Sequence, residues 1–309
     1  MNRILPSLRL PLLWVAGYLI MLVLFLVPVL NLVTINFIMV PVFFLYMAVS
    51  RTKFALTAAA ALLAAYLLGG TLGLVLGALP LFFLPSVIAM QRMYRKRNLA
   101  RLAILSGTLT LLAELLVLLV VSKLFGYNLV ESLRTMLTDS LVSLPEAWKS
   151  MVTPETIDNS VYYVIQSLPV FMIAFCVWYV FVCHAAGRWL LRKTGVTVPA
   201  LSPVRKWKLP KSLVWYYLAV MILDFMVKPD SDPFLFTVVW NLLPLLTFAF
   251  AVQALSFLSY VTYHKRKGRF LPAAAVCLTI LFPPFIYLFS MVGLFDTMFA
   301  IRERFADKS

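Results

Sequence analysis

Two carboxylates stand inside apolar runs of this 309-residue chain. Glu114 lies near the middle of LAILSGTLTLLAELLVLLVVS, residues 102–122, and Asp224 lies in SLVWYYLAVMILDFMV, residues 212–227. A third run, PFLFTVVWNLLPLLTFAFAVQALSFLSYVTYH, carries the amides Asn241 and Gln253 with Pro244 between them. An Asp at the centre of a membrane helix costs about 2.5–3.5 kcal/mol on the insertion scale, and lipid cannot satisfy an amide side chain. Such groups must turn away from lipid. Two chemistries follow. Glu114, Asp224, Asn241 and Gln253 could line a polar pocket or relay, with the Thr110 hydroxyl one turn from Glu114, or they could make interhelical hydrogen bonds. Glu114 fits either reading. The amides fit the second better, because polar contacts inside membranes average ~0.6 kcal/mol and are often ordinary packing.

Catalytic and metal chemistry find little material. The chain has no P-loop, no G-x-S-x-G and no H-E-x-x-H, so an enzyme and an ATPase are not expected. Cys176, Cys183 and Cys277 fall within apolar runs and read as small buried hydrophobes, neither disulfides nor metal ligands. His184 and His264 each sit alone at the end of a span. No metal and no cofactor are expected.

The elements that must position these side chains follow from composition. Hydrophobic residues make up 63% of the chain and mean hydropathy is +0.95, against about 45–50% apolar in a soluble domain. A helix rising ~1.5 Å per residue needs ~20 apolar residues to cross the hydrocarbon core. The chain therefore reads as an all-α, polytopic integral membrane bundle of a single domain, residues 1–309. The net charge of +15 does not point to nucleic acid. Twenty Lys and Arg fall in residues 1–10, 51–53, 91–101, 188–211 and 263–269, none of which contains Asp or Glu, while 123–160 and 228–233 hold four basic residues against seven acidic ones. This asymmetry is the positive-inside rule, and it places the N-terminus and the basic linkers in the cytoplasm.

Nine spans are expected, with eight the alternative, the count changing if the Pro283-Pro284 break makes a re-entrant hairpin or the 54–90 region is not two crossings. The first is 11–30, followed by an outer turn at Asn31, Thr34 and Asn36 and a second span over 37–49. In residues 54–90, Thr57, Ala61, Ala65, Gly69, Gly73 and Gly77 recur every four positions, a small-residue face of the kind that lets helix backbones approach closely in lipid. Either two crossings turn at Gly69-Gly70, or one helix continues through the glycines into a re-entrant segment. Residues 91–101 form a basic loop, and a fifth span covers 102–122. Within the linker 123–160, Leu129, Leu133, Met136, Leu137, Leu141 and Leu144 recur at helical spacing, which predicts an amphipathic helix on the membrane surface or over a cavity. A sixth span covers 161–187. The linker 188–210, rich in Pro, Lys and Arg, marks a boundary between halves 1–187 and 211–309. Spans at 212–227, 233–264 and 271–294 complete the count, the last interrupted by Pro283-Pro284. The tail mixes both signs, so charge does not locate it.

The C-terminal third carries a resemblance. LPKSLVWYYLAVMILDF, then NLLPLLTFAFAVQALSFLSYV, then MVGLFDTMFAIRER are similar to the YybS-like family, uncharacterised bacterial, mainly Firmicutes, multi-pass membrane proteins grouped under a domain of unknown function. Asn241, Gln253, Gly293, Asp296 and Arg302 stand at its polar and small-residue landmarks, and Ala254 stands where a glycine is expected. The family resembles, distantly, the substrate-binding components of energy-coupling-factor transporters. That likeness implies a small-molecule pocket in the cytoplasmic membrane and a partner module supplying ATP hydrolysis, docked on the small-residue face at 55–77.

Two functions from different classes follow: a transport component that binds a small hydrophilic molecule, or a non-transporting accessory or scaffold protein that holds a cytoplasmic or membrane partner through its basic linkers. The lipid bilayer is a partner in both.

Overall fold

The computed structural model describes residues 9–27, 29–142, 153–228, 232–265, 268, 270–299 and 301–302. All regular structure among them is helical. The helices are α1 (Arg9–Leu26), α2 (Leu30–Thr34), α3 (Val40–Ala48), α4 (Arg51–Ala78), α5 (Leu84–Arg97) and α6 (Ala100–Leu124). Next come α7 (Leu129–Val142), α8 (Pro154–Gln166) and α9 (Leu168–Arg192). The chain continues through α10 (Ser212–Met226), α11 (Pro233–His264), α12 (Phe270–Leu281) and α13 (Phe285–Phe299). Among the described residues five helical stretches are long and apolar enough to cross a membrane: Leu30–Ala48, Arg51–Arg97, Ala100–Leu124, Leu168–Arg192 and Pro233–His264. Shorter apolar helices cover Trp14–Leu26, Ser212–Met226, Phe270–Leu281 and Phe285–Phe299. The protein is an all-α polytopic membrane protein.

The chain divides into two compact units. The first comprises residues 1–127 and 172–201, the second residues 128–171 and 202–309.

In the first unit the small-residue stretch folds back on itself. Gly70 takes φ 59° and ψ −142° within α4, a backbone conformation open in practice only to glycine. A Cβ at Gly73 would overlap the Ala65 carbonyl, and one at Gly77 would come 3.1 Å from the Ala65 Cβ. In a straight helix residues 65 and 73 lie about 12 Å apart, so the chain reverses at Gly70 and the continuous-helix alternative fails. Ala61 and Ala65 are buried in this seam, whereas Gly69 has open space around it. The Tyr18 hydroxyl of α1 donates to the Gly77 carbonyl. The unit's core joins Met39, Phe43 and Leu45 of the α2–α3 region to Val87 and Met90 of α5, with Leu111 of α6 and Val180 of α9.

Several expected boundaries move. The outer turn at Asn31–Asn36 is helical instead. Thr34 and Asn36 donate to the carbonyls of Leu30 and Leu32 at 2.6 Å each, which lets polar side chains stay within helix, and the break falls at Val29, with φ 56°. The basic segment 91–97 is not a loop but the end of α5. Arg95, Lys96 and Arg97 occupy its last turn, where the helix dipole favours cations, and Asn98 closes it in a left-handed cap. The sixth span starts at Leu168, because residues up to Gln166 belong to α8 and the chain breaks at Ser167.

In the second unit α11 and α13 pack backbone to backbone. A Cβ at Gly293 would overlap the Phe250 carbonyl and approach the Ala254 nitrogen to 2.9 Å, so Gly293 sets the contact and an alanine fits at 254. Tyr217 of α10 stacks on Phe250 at 5.0 Å, and its hydroxyl shares hydrogen bonds with Thr247 (3.1 Å) and Ser290 (2.9 Å). The expected amphipathic linker is helical in α7 and α8, joined by an Arg134–Asp158 ion pair at 2.7 Å; Leu144 lies outside the described residues. So do Arg266, Lys267, Arg269 and most of the tail. The Pro283-Pro284 interruption separates α12 from α13.

Candidate functional site

The most elaborate polar site lies where the end of the chain meets the basic linker within the second unit. Asp296 projects from α13, and Arg302 follows just past that helix. Asp296 Oδ2 accepts from Arg302 Nε at 2.8 Å and from Gln253 Nε2 at 2.6 Å, and Arg302 Nη2 lies 2.8 Å from it as an ion-pair contact. Both charged side chains are nearly fully buried, Arg302 at 4% and Asp296 at 2% exposure. The remaining guanidinium donors go mainly to backbone. Nη1 reaches the carbonyls of Trp207 (3.0 Å) and Arg205 (3.2 Å) and the Ser256 hydroxyl (3.1 Å), and Nη2 reaches the Gln253 carbonyl at 3.3 Å. A planar fork with five donors is suited to this task in a way a lysine is not.

The same cluster folds the linker. Ser256 Oγ shares its hydrogen between the Val204 and Trp207 carbonyls at 2.6 and 2.8 Å, and Gln253 Oε1 accepts from Leu209 N at 3.1 Å. Backbone groups without a regular partner thus find side chains, and residues 204–209 are held over the C-terminal half of α11. A small cavity of about 70 Å³ adjoins the cluster, lined by Lys208, Lys211, Gln253, Asp296, Thr297 and Arg302. Asp296 Oδ1 is buried and takes no hydrogen bond from the described residues, an acceptor that a water could meet in a space of this size.

Asn241 works elsewhere on α11. It lies twelve residues from Gln253, about 18 Å along the helix. Its Nδ2 donates to the carbonyls of Gln166 and Thr237 at 2.7 Å each, and its Oδ1 accepts from Val170 N at 2.9 Å. Trp240 and Thr237 add side-chain bonds to Ser167 and Gln166. Asn241 therefore ties α11 to the break before α9.

Glu114 belongs to the first unit. Both its carboxylate oxygens are buried, and neither has a hydrogen-bond partner among the described residues. Cys176 of α9 is a near electrostatic neighbour. One turn away, the Thr110 hydroxyl donates to its own helix at Ser106 O, 2.9 Å. Gly107 on the same stripe is where helices converge: a Cβ there would meet Met90 Cγ at 2.6 Å and Val180 Cγ1 at 3.2 Å. Asp224 is exposed on α10 of the second unit. The small-residue face Ala61, Ala65, Gly73 and Gly77 is occupied within its own hairpin.

Three features carry no motif that would reveal them in the sequence. His184 is buried against the Tyr94 hydroxyl at 2.6 Å, Tyr217 bridges two hydroxyls, and Arg205 stacks over the Tyr263 ring at 4.0 Å. Among the described residues no three His, Cys, Asp or Glu side chains come together as a metal site would require.

Comparison with known proteins gives a family match for most of the chain. Residues 15–297 match the family described as "Predicted membrane protein (DUF2232)". The chain is 24% identical over 225 residues to "Uncharacterized protein YybS" of Bacillus subtilis (strain 168), covering 70% of this chain and 72% of that protein. No solved structure matches.

Proposed function

The chain belongs to the DUF2232 family of membrane proteins, and from that premise we propose that it is a small-molecule-binding transport component of the bacterial membrane. One observation carries the reading: both oxygens of Glu114 are buried within an apolar helix without a hydrogen-bond partner among the described residues. A buried polar group left unpaired costs about 1–3 kcal/mol, more when charged. Folding alone gives no reason to keep a carboxyl there, whereas a solute or its proton does. The distant likeness to energy-coupling-factor substrate-binding components belongs to the same proposal, with an ATPase-containing partner as the energy source and no catalysis by this chain. The seam Ala61–Gly77 is filled from within, so such a partner docks on another face.

The test is labelling with a lipid-soluble carbodiimide, which adds to a protonated carboxyl in an apolar setting. The reading expects an adduct on Glu114, mapped by peptide mass spectrometry and suppressed by a small-molecule extract of the source cells. An unmodified Glu114, or an adduct indifferent to that extract, counts against it.

A second reading has one observation in its favour. Arg302 and Ser256 hold the basic linker in a fixed shape, as a non-transporting accessory protein that presents it to a partner requires. Under that reading, substitutions at 205–208 or 91–97 damage function more than Glu114→Gln.

A further inference from the structure

The buried Asp296–Arg302 pair is more than a strut, because of what it holds at the surface. Arg302 fixes the carbonyls of Arg205 and Trp207, and Ser256 fixes those of Val204 and Trp207. The short 3₁₀ turn Val204–Lys206 is thereby pinned beside the last turns of α11. Between them opens a pocket of about 560 Å³, into which Arg205, Lys206 and Lys208 come from the linker and Tyr260, Tyr263 and His264 from α11. No acidic side chain lines it among the described residues.

The parts are specific. Arg205 Cζ lies over the Tyr263 ring at 4.0 Å, a cation–π contact, and a planar guanidinium fork is the group that meets phosphate oxygens in pairs. Tyr260 and His264 pack with their rings tilted by 37° and centroids 4.0 Å apart and form a second wall. The pocket sits at the basic end of a long apolar helix, the level at which tyrosines and cations meet lipid headgroups, and basic pockets at this depth take phosphate-bearing headgroups. A surface patch of flexible lysines would have none of this fixed geometry.

We propose that this pocket is a binding site for a phosphate group, with Arg205 and Lys206 as ligands and the Asp296–Arg302–Ser256 cluster as the positioning scaffold. The phosphate is that of an anionic lipid headgroup or of a soluble phosphate compound. The inference rests on the second unit alone and stands or falls independently of Glu114.

The experiment compares the full chain with two variants of equal charge loss, Arg205→Ala/Lys206→Ala in the pocket and Arg51→Ala/Lys53→Ala at the start of α4. Each is reconstituted in nanodiscs of phosphatidylcholine, and binding of added phosphatidylglycerol is read by native mass spectrometry after release of the complex. Inorganic phosphate is the second probe, as competitor and alone. The pocket variant is expected to lose at least about tenfold in phosphatidylglycerol binding, and the α4 variant to retain it. Competition by inorganic phosphate at millimolar concentration assigns the site to soluble phosphate compounds; indifference to it assigns the site to the lipid. Equal binding by both variants overturns the proposal. So does a full chain that shows no preference for phosphatidylglycerol over phosphatidylcholine and binds no inorganic phosphate. Arg302→Lys separates scaffold from ligand: it leaves a charge in place but removes the fork, and is expected to weaken binding nearly as much as the pocket variant.

Discussion

Arg302 Nε donates to one oxygen of Asp296 at 2.8 Å and its Nη2 lies at the same distance in an ion pair, while Gln253 donates to the same oxygen at 2.6 Å. Two donors and one further guanidinium nitrogen converge on Oδ2, and Oδ1 is left over. The arrangement neutralises a buried guanidinium and turns its remaining N–H groups toward the linker backbone. Removing one partner of a buried pair typically costs ~3–5 kcal/mol, because the other charge stays buried and uncompensated. Asp296→Asn is therefore expected to lower stability by about that amount, measured by thermal unfolding in detergent. A loss below about 1 kcal/mol would mean that the pair does not hold this unit together.

The close pairing of α11 and α13 rests on the missing Cβ of Gly293, which would otherwise overlap the Phe250 carbonyl. Backbone cannot move aside as a side-chain tip can. Gly293→Val is expected to cost at least the ~1–3 kcal/mol typical of overpacking, with the tryptophan fluorescence of the unfolding transition as readout.

At Gly70 the backbone conformation, not space, is the constraint: a Cβ added there would meet nothing within 4 Å, yet φ is 59° and ψ −142°. Gly70→Ala is expected to lose about 1–3 kcal/mol through backbone strain. Gly69→Ala, in equally open space and without the unusual backbone, is expected to be neutral or slightly stabilising. The pair of unfolding midpoints tests the hairpin directly.

Asp224 and Asn241 should separate. The exposed Asp224 makes Asp224→Asn nearly silent, within about 0.5 kcal/mol. Asn241→Leu strands the part-buried Val170 N and Gln166 carbonyl, at a cost of about 1 kcal/mol, the low end for groups left without partners. Thermal unfolding of the two variants side by side checks both values.

Much of this is legible in the residues. Apolar run length marks the helices, and the four-residue recurrence of small side chains from Thr57 to Gly77 marks a close seam. That recurrence does not say whether the seam lies within the chain or against another protein; the reversal depends on one torsion at Gly70. Glu114 stands out because a carboxylate among leucines is conspicuous. Arg302 stands out only through the family resemblance: charge does not locate a tail of mixed signs, and its burial follows from acceptors at 205, 207 and 253 that no local pattern links to it. The turn expected at Asn31–Asn36 fails for a similar reason, since Thr34 and Asn36 satisfy their side chains on carbonyls four residues earlier.

Native mass spectrometry of the gently solubilised protein beside its Glu114→Gln variant tests the transport reading most directly. The expected result is a small molecule retained by the native chain and lost from a variant that is folded and no less stable. Two chains carrying the same bound mass, or a variant that unfolds, would contradict it: in the first case Glu114 does not meet the solute, and in the second its place is in the fold.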